Sequence, residues 1–163
     1  MTQAIVEETY VVAPVVEEEI GPSQSGVSFY LASMLFGATL VCFAGALLAD
    51  YTYLGDPDIA WSNFSTWLLA FGEFFIALVV LFGIIGYFVY RDFPRSASNW
   101  LYGLFVVAAA ITGLFDNFVH THDGWTSVAG TGITLSAATL VLLLIGGLFK
   151  LATLSQTYVV DAR

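Results

Sequence analysis

Residues 27–49 read VSFYLASMLFGATLVCFAGALLA, and this stretch contains no charged side chain. Its 23 residues would extend about 34 Å as an α-helix, which exceeds the roughly 30 Å thickness of the hydrocarbon core of a bilayer. Three further apolar stretches follow, at about 64–90, 98–118 and 128–152. The sequence therefore predicts an all-α fold, an integral membrane four-helix bundle.

The overall composition is typical of a protein that lies in a membrane. Hydrophobic residues make up 58% of the sequence and charged residues 10%, whereas about a quarter of the residues in a soluble domain are charged. The formal net charge is −9, from 13 acidic and 4 basic residues. Because binding to phosphates needs clustered lysine and arginine, this balance argues against a nucleic-acid partner.

The chain divides into three segments by composition. Residues 1–25 contain the acidic run 17–19 and the breaker Gly-Pro-Ser at 21–23, which predicts an acidic flexible tail. Its valine pairs leave open a second interpretation, in which the segment becomes ordered on a partner. Residues 26–153 form the predicted four-helix transmembrane domain, and residues 154–163 form a short polar C-terminal tail.

The few basic residues predict the orientation of the bundle. Four spans place both termini on one side, together with the loop between the second and third helices. All four basic residues fall on that side: Arg91, Arg95, Lys150 and Arg163. By the positive-inside rule both termini are expected to be cytoplasmic, and the connections rich in aspartate, histidine and tryptophan are expected to face outward.

The densest polar cluster follows the third span and raises the question of a metal site. It includes Asp116, His120, His122 and Asp123, and Asp50 is expected on the same side of the membrane. Imidazole and carboxylate groups together can bind a transition metal. On a helix, however, His120 and His122 would point in different directions, so only an extended or turning backbone would bring both to one ion.

A simpler interpretation of the same cluster is that its side chains cap helices and form hydrogen bonds across the outer surface. Thr126 or Ser127 then becomes the predicted N-cap of the last helix, and Asn117 satisfies carbonyl groups at the end of the third. We favour this interpretation over metal binding.

Glu73 is the single ionisable residue inside the second span. It lies six residues after Trp67, which is roughly 9 Å further along the helix from that interfacial anchor. A carboxyl group at this depth is costly, so it is a candidate for binding a cofactor or relaying protons. The alternative is a protonated carboxyl group that bonds to a hydroxyl group of a neighbouring helix.

Motifs typical of the common enzyme classes are absent from the sequence. There is no Cys-x-x-Cys, no phosphate-binding glycine loop and no nucleophile elbow, and the one cysteine, Cys42, lies in an apolar run. We therefore expect no enzymatic activity and, by default, no cofactor. Small residues recur at helix-packing spacing and predict close contacts between helices: Ser33 and Gly37, Gly45 and Ala49, Ala109 and Gly113, and Gly132 and Ser136.

Four sequence strings resemble a bacterial membrane family, the domain of unknown function twenty-two thirty-one. These are ADYTYLGDP at 49–57, WLLAFG at 67–72, NFVHTHDGWTSV at 117–128 and TGITLS at 131–136. The resemblance extends over about 27–151. It implies four helices, a bacterial inner membrane location and no established activity.

The chain also departs from the pattern of the family it resembles. Many members have a histidine where this chain has Tyr102, and an aspartate that is common late in the second helix corresponds here to about Gly86. The His-Pro opening of the first helix is missing. Since these are polar positions that might hold a cofactor, the resemblance implies a weaker redox role for this chain.

Two functional hypotheses follow. The first is a structural or accessory subunit that packs against a larger membrane complex or forms a homo-oligomer. The second is a redox or cofactor-binding membrane protein that uses Glu73 and the outward Asp/His cluster. We favour the first, because a cofactor site inside the membrane needs several convergent polar groups and the sequence displays only one.

Overall fold

The computed structural model describes residues 24–89, 96–122 and 126–161, with side chains described at 30–89, 96–122 and 126–152. Over these residues the chain forms four long helices. Helix α1 spans Gln24–Gly55, α2 spans Ile59–Val89, α3 spans Ala97–His122 and α4 spans Ile133–Asp161. The predicted N-terminal tail lies almost entirely outside the described residues. Helix α4 continues through most of the predicted C-terminal tail.

Polar side chains define the starts of two helices. The Asp58 carboxylate accepts a hydrogen bond from the backbone N–H of Ala60 at 2.9 Å, at the start of α2. The Ser96 hydroxyl accepts one from the backbone N–H of Asn99 at 3.2 Å, at the start of α3. Both satisfy N–H groups that the first turn of a helix leaves without intrahelical partners.

The contacts between helices establish an up-down-up-down bundle. Gly45 packs against Leu68 across α1 and α2, which are joined by only three residues and therefore run antiparallel. Along α3 and α4, Phe105 stacks on Phe149 near one end, and Asp116 meets Ser136 near the other. These contacts advance in opposite directions along the two helices, so α3 and α4 are also antiparallel.

The α2–α3 pair completes the bundle. Tyr87 packs edge-on against Trp100 with ring centroids 5.6 Å apart. Further along both helices Glu73 lies against Gly113. The second and third helices are thus antiparallel neighbours, as predicted. The end of the bundle where α1 and α3 finish and α2 and α4 begin is called the connection end below.

Apolar side chains occupy both the inside and the outside of the bundle. Phe43, Leu69, Ile76 and Leu143 are fully buried and form the core. The outward faces carry phenylalanine, leucine and tryptophan, whereas a soluble bundle would place polar side chains there. Each of the four helices is long and apolar enough to cross a membrane. The all-α membrane bundle predicted from the sequence is confirmed.

All four helices extend beyond the predicted apolar stretches at one end or both, and α1 and α3 do so at the connection end. Asp50 was expected to end the first span, but α1 continues through it to Gly55. The third span was expected to end near Phe118, but α3 continues to His122. Asp50 and Asp116 both contact Ser136 inside the bundle. These contacts offset the free energy that burying a carboxyl group costs, so the two helices can continue past their aspartates.

Of the two predicted N-caps of the last helix, Ser127 does not act as one. Ser127 has helical backbone angles and makes no capping hydrogen bond through its side chain. A kink follows, because Ala129 and Gly130 have non-helical backbone angles, and Gly130 has a φ of 78°. Regular α4 begins only at Ile133.

Three of the four predicted small-residue pairs contact neighbouring helices or segments. Gly45 packs on Leu68, Gly113 on Phe43, and Gly132 on His120. The fourth pair differs, since Ser33 is exposed and a Cβ added at Gly37 would meet nothing within 4 Å. This pair does not mediate packing inside the bundle.

Candidate functional site

Four polar side chains from three helices form a closed ring near the connection end. His120 Nε2 lies 3.0 Å from Asp50 Oδ1, and His120 Nδ1 lies 3.0 Å from Asp116 Oδ1. Ser136 Oγ closes the ring at 2.6 Å from Asp50 Oδ2 and 2.7 Å from Asp116 Oδ2. Asp50, Asp116 and Ser136 are 0% exposed and His120 is 2% exposed. We call these four residues the polar ring.

Helix periodicity explains how α3 contributes two members of the polar ring. Asp116 and His120 are four residues apart, so they occupy the same face of α3 and point into the bundle. The ring of His120 is fixed further by a contact of 3.0 Å between Nδ1 and the backbone oxygen of Asp116. His122 lies on another face and is exposed, as its spacing from His120 predicted.

The other two members come from the parts of α1 and α4 that lie beside His120. Asp50 is more than one turn from the end of α1, and Ser136 is in the first turn of α4, directly after the kink. Gly132 allows α4 to approach α3 here, because a Cβ at Gly132 would lie 2.9 Å from His120 Cε1.

Glu73 lies outside the polar ring, nearer the middle of the bundle. Its carboxyl group contacts Gly113, one helical turn of α3 from Asp116, with which it interacts electrostatically. Glu73 Oε1 is buried and has no hydrogen-bond partner among the described residues. The predicted bond from this carboxyl group to a hydroxyl of a neighbouring helix is therefore not seen at Oε1.

The predicted metal ligands are divided between two locations. Asp50 and His120 meet in the polar ring, whereas His122 lines a separate groove on the surface of the bundle. Asp123 lies outside the described residues. Within the described parts of the chain, no group of three or more histidine, cysteine, aspartate or glutamate side chains is arranged to hold a metal ion.

The sequence also matches a known protein family. The family described as predicted membrane protein (DUF2231) matches residues 31–159, which include all of α2 and α3, most of α1 and α4, and the polar ring. The chain belongs to this family. No curated protein and no solved structure matches it. The description of the family agrees with the four apolar helices and states no activity.

The hydrogen bonds of this DUF2231 protein require an extra proton in the polar ring. The Ser136 hydroxyl carries one proton, and an ionised carboxylate can only accept. Two contacts as short as 2.6 and 2.7 Å to Asp50 and Asp116 therefore need a second proton, carried by one of the two carboxyl groups. When both nitrogens of His120 donate, the ring contains an imidazolium, a carboxylate and a carboxylic acid; when Asp50 donates to Nε2, it contains a neutral imidazole and two carboxylic acids, and the net charge is zero in both cases.

A neutral ring suits its surroundings, because an isolated buried charge is costly in a medium of low dielectric constant. The arrangement can hold three helices together, and it can also store a proton. Both capacities follow from the same feature, which is that the four side chains contact one another at 2.6–3.0 Å inside the bundle, where Asp116 Oδ1 alone among their polar atoms has no hydrogen-bond partner.

Sequence reasoning missed the ring as a unit. It named Asp116 and Ser136 but assigned them to a surface connection and a packing pair. The useful signal was the four-residue spacing of Asp116 and His120, which is the spacing of partners on one helical face. Nothing in the sequence indicated that Ser136 would lie between the two aspartates, because that contact depends on how α1, α3 and α4 pack.

Proposed function

We propose that this DUF2231 protein is a structural or accessory subunit of a larger membrane assembly, without catalytic activity of its own. In this role the polar ring fixes the relative positions of α1, α3 and α4, so that the bundle presents a constant outer surface. The partner is another membrane protein or further copies of the chain, and the surrounding bilayer covers the remaining surface.

One observation supports this proposal above others: the polar ring is sealed. Its four side chains are buried and directed at one another. A catalytic site must admit a reactant to its polar groups, and these four side chains are closed off from the surface, with Asp116 Oδ1 the one ring atom that has no hydrogen-bond partner. Buried polar networks of this kind are well suited to specifying one packing arrangement.

The surface of the bundle offers places for a partner helix to approach closely. A Cβ added at Gly37, Gly83 or Gly103 would meet nothing within 4 Å. Small residues on the surface of a membrane helix permit backbone contact with another helix, which is the main attraction between helices in lipid. Gly37 also belongs to one of the small-residue pairs that the sequence predicts.

The particle extracted in mild detergent tests this proposal by its mass and composition. We expect the protein to purify as a larger particle, containing either further copies or a second membrane protein. In Gly37→Leu the added side chain would separate the helices, so the particle should dissociate to the single chain. Val41→Leu enlarges a side chain on the same helix that is 71% exposed to lipid, and it should leave the particle intact.

Two results would contradict the proposal. The first is a wild-type particle that contains one chain of 17.6 kDa at every protein concentration in several mild detergents. The second is an equal loss of the larger particle in Gly37→Leu and Val41→Leu, which would indicate a general disturbance of α1.

We further propose that the protein resides in a bacterial inner membrane with both termini in the cytoplasm. The support is the position of the four basic residues in the sequence: Arg91 and Arg95 follow the second span, Lys150 ends the fourth and Arg163 follows it, so all four fall on one side of a four-span topology. Reporter fusions after Gly55 and after Val89 test the orientation. We expect them to report opposite compartments, with Val89 cytoplasmic, and a periplasmic signal at Val89 would contradict the proposal.

A second candidate function rests on Glu73. A buried carboxyl oxygen without a hydrogen-bond partner, near the middle of the 31-residue helix α2, favours a protein that handles protons or binds a redox cofactor. An optical spectrum and metal analysis of the purified protein distinguish the two candidates. Stoichiometric haem, copper or zinc that is lost in Glu73→Gln would support the second, and retention in that variant would remove Glu73 from such a site.

A further inference from the structure

Two carboxyl oxygens inside the bundle have no hydrogen-bond partner among the described residues. They are Glu73 Oε1, which belongs to α2, and Asp116 Oδ1, which belongs to α3 and to the polar ring. Each of these atoms has less than 1 Å² of accessible surface, and the Asp116 side chain is 0% exposed. Because a buried polar atom without a partner is costly, native proteins contain few of them, and each needs an explanation.

His120 does not satisfy Asp116 Oδ1, although its Nδ1 lies 3.0 Å from that oxygen. The same nitrogen lies 3.0 Å from the backbone oxygen of Asp116, in hydrogen-bond geometry. Since a backbone oxygen can only accept, Nδ1 donates its one hydrogen there. The other carboxyl oxygen, Oδ2, is bonded to Ser136. Oδ1 is therefore the oxygen of this carboxyl group that can still accept a hydrogen bond.

Gly113 brings the carboxyl group of Glu73 to the face of α3 that carries Asp116. A Cβ added at Gly113 would overlap Glu73 Oε1, so this oxygen occupies the place of the missing side chain. Residues three apart on a helix share a face, and their Cβ atoms are about 5–6 Å apart. Glu73 Oε1 therefore lies about this far from Asp116 Cβ, and the two side chains interact electrostatically.

A single water molecule matches this separation and the chemistry of both oxygens. Two successive hydrogen bonds of about 2.8 Å each can join oxygens that are too far apart for direct contact. Water can donate to one carboxyl group and either donate to or accept from the other, so it suits both protonation states. A cation such as Ca²⁺ suits the place less well. It takes about six to eight oxygen ligands, and among the described residues only these two carboxyl oxygens are buried without a partner.

We propose that one buried water molecule bridges Glu73 Oε1 and Asp116 Oδ1. The water extends the polar ring to α2, the helix of the four that contributes no member to it. One polar network then includes all four helices, and it accounts for Glu73 without a cofactor. The inference deepens the proposed structural role, because it adds the fourth helix to the contacts that fix the bundle.

A crystal or cryo-electron microscopy structure that resolves ordered water tests the proposal directly. We expect one water within about 3.2 Å of both oxygens. The water should remain in Glu73→Gln, whose amide group keeps the size and polarity of the carboxyl group. It should be lost in Glu73→Leu, which has no polar atom to hold it. Direct contact between the two carboxyl groups, a cation in this place, or no water in the wild type would overturn the proposal.

The infrared band of the protonated carboxyl group in the polar ring gives a second measurement. Glu73→Gln and Glu73→Leu both remove the carboxyl group of Glu73, so its own band is absent from the comparison. Loss of the water takes a hydrogen bond from Asp116, so we expect the C=O band of the ring to shift in Glu73→Leu relative to Glu73→Gln. The same band position in the two folded variants would contradict the bridge.

This inference and the proposed function fail separately. A wild-type bundle that lacks the water but purifies as a larger particle would overturn the bridge and leave the accessory role standing. A wild-type protein that contains the water but purifies as a single chain would overturn the accessory role and leave the bridge standing.

Discussion

At the scale of single residues, Ser136 decides the chemistry of the polar ring. Its hydroxyl lies between Asp50 and Asp116 and has only one proton to offer them. The second short contact requires a carboxylic acid in the ring. A hydroxyl group is the smallest side chain that can donate to one carboxyl group and accept from another, so it suits this crowded position.

The extra proton gives a spectroscopic prediction. In Glu73→Gln, which removes the other buried carboxyl group, the infrared spectrum should still show the C=O stretch of a protonated carboxylic acid, shifted in D₂O. Adding Asp116→Asn should remove this band, since an amide supplies the missing donor to Ser136. The same change should cost about 1 kcal/mol or less in the free energy of unfolding. A spectrum without this band in Glu73→Gln would contradict the proton count.

Two glycines of α3 give a matched test of packing. A Cβ at Gly113 would overlap Glu73 Oε1 and lie 2.8 Å from Phe43 Cζ, whereas a Cβ at Gly103 would meet nothing within 4 Å. We expect Gly113→Ala to lower the free energy of unfolding in detergent by about 1–3 kcal/mol through overpacking. Gly103→Ala should leave it unchanged or raise it. A neutral Gly113→Ala would show that Glu73 and Phe43 move aside easily.

At the scale of elements, the kink before α4 determines which side chains of this segment face the other helices at the connection end. Had the helix begun at Ser127, that serine would have capped it and α4 would have started a full turn earlier. The kink instead places Gly132 beside His120 and turns Ser136 toward the polar ring. One irregular segment thus shapes both the polar ring and the surface groove that His122 lines.

The kink depends on a backbone conformation that favours glycine. Gly130 has φ 78° and ψ −87°, and a Cβ there would meet no atom within 4 Å. The cost of Gly130→Ala is therefore conformational, and we expect about 1–3 kcal/mol less stability toward thermal or denaturant unfolding. Gly83→Ala, at a helical glycine with open space, is the control and should be neutral. Equal stability of the two variants would indicate that the kink relaxes at no cost.

At the scale of the whole molecule, the polar ring connects helices that are distant in sequence. Asp50 and His120 are separated by 70 residues, and their contact links α1 to α3 across the diagonal of the bundle. In lipid the apolar core contributes little to holding helices together, because the lipid chains are as apolar as leucine. Polar contacts and close packing therefore determine which helix faces which.

A double-mutant cycle measures this connection. His120→Gln should destabilise the bundle by about 3–5 kcal/mol, because it removes the partner of two buried carboxyl groups, and Asp50→Asn should cost less, because its amide can donate to Ser136 and Asp116 still lies beside His120. The double variant should cost less than the sum, with a coupling of about 1–3 kcal/mol in unfolding from mild detergent. A cycle between Asp50→Asn and Gly83→Ala should be additive. Additivity of the first cycle would contradict the role assigned to the ring.

The sequence by itself determined the number of helices, their membrane environment and the family resemblance. The length of an apolar stretch is a local property, and it does not depend on how the spans pack against each other. It also separated His120 from His122, since helical spacing is local too. Only the tertiary structure decided that Asp50 and Asp116 are buried within helices and share Ser136. The physical reason is that the partners of these two aspartates lie on other helices, and no stretch of a single helix can specify a partner on another helix.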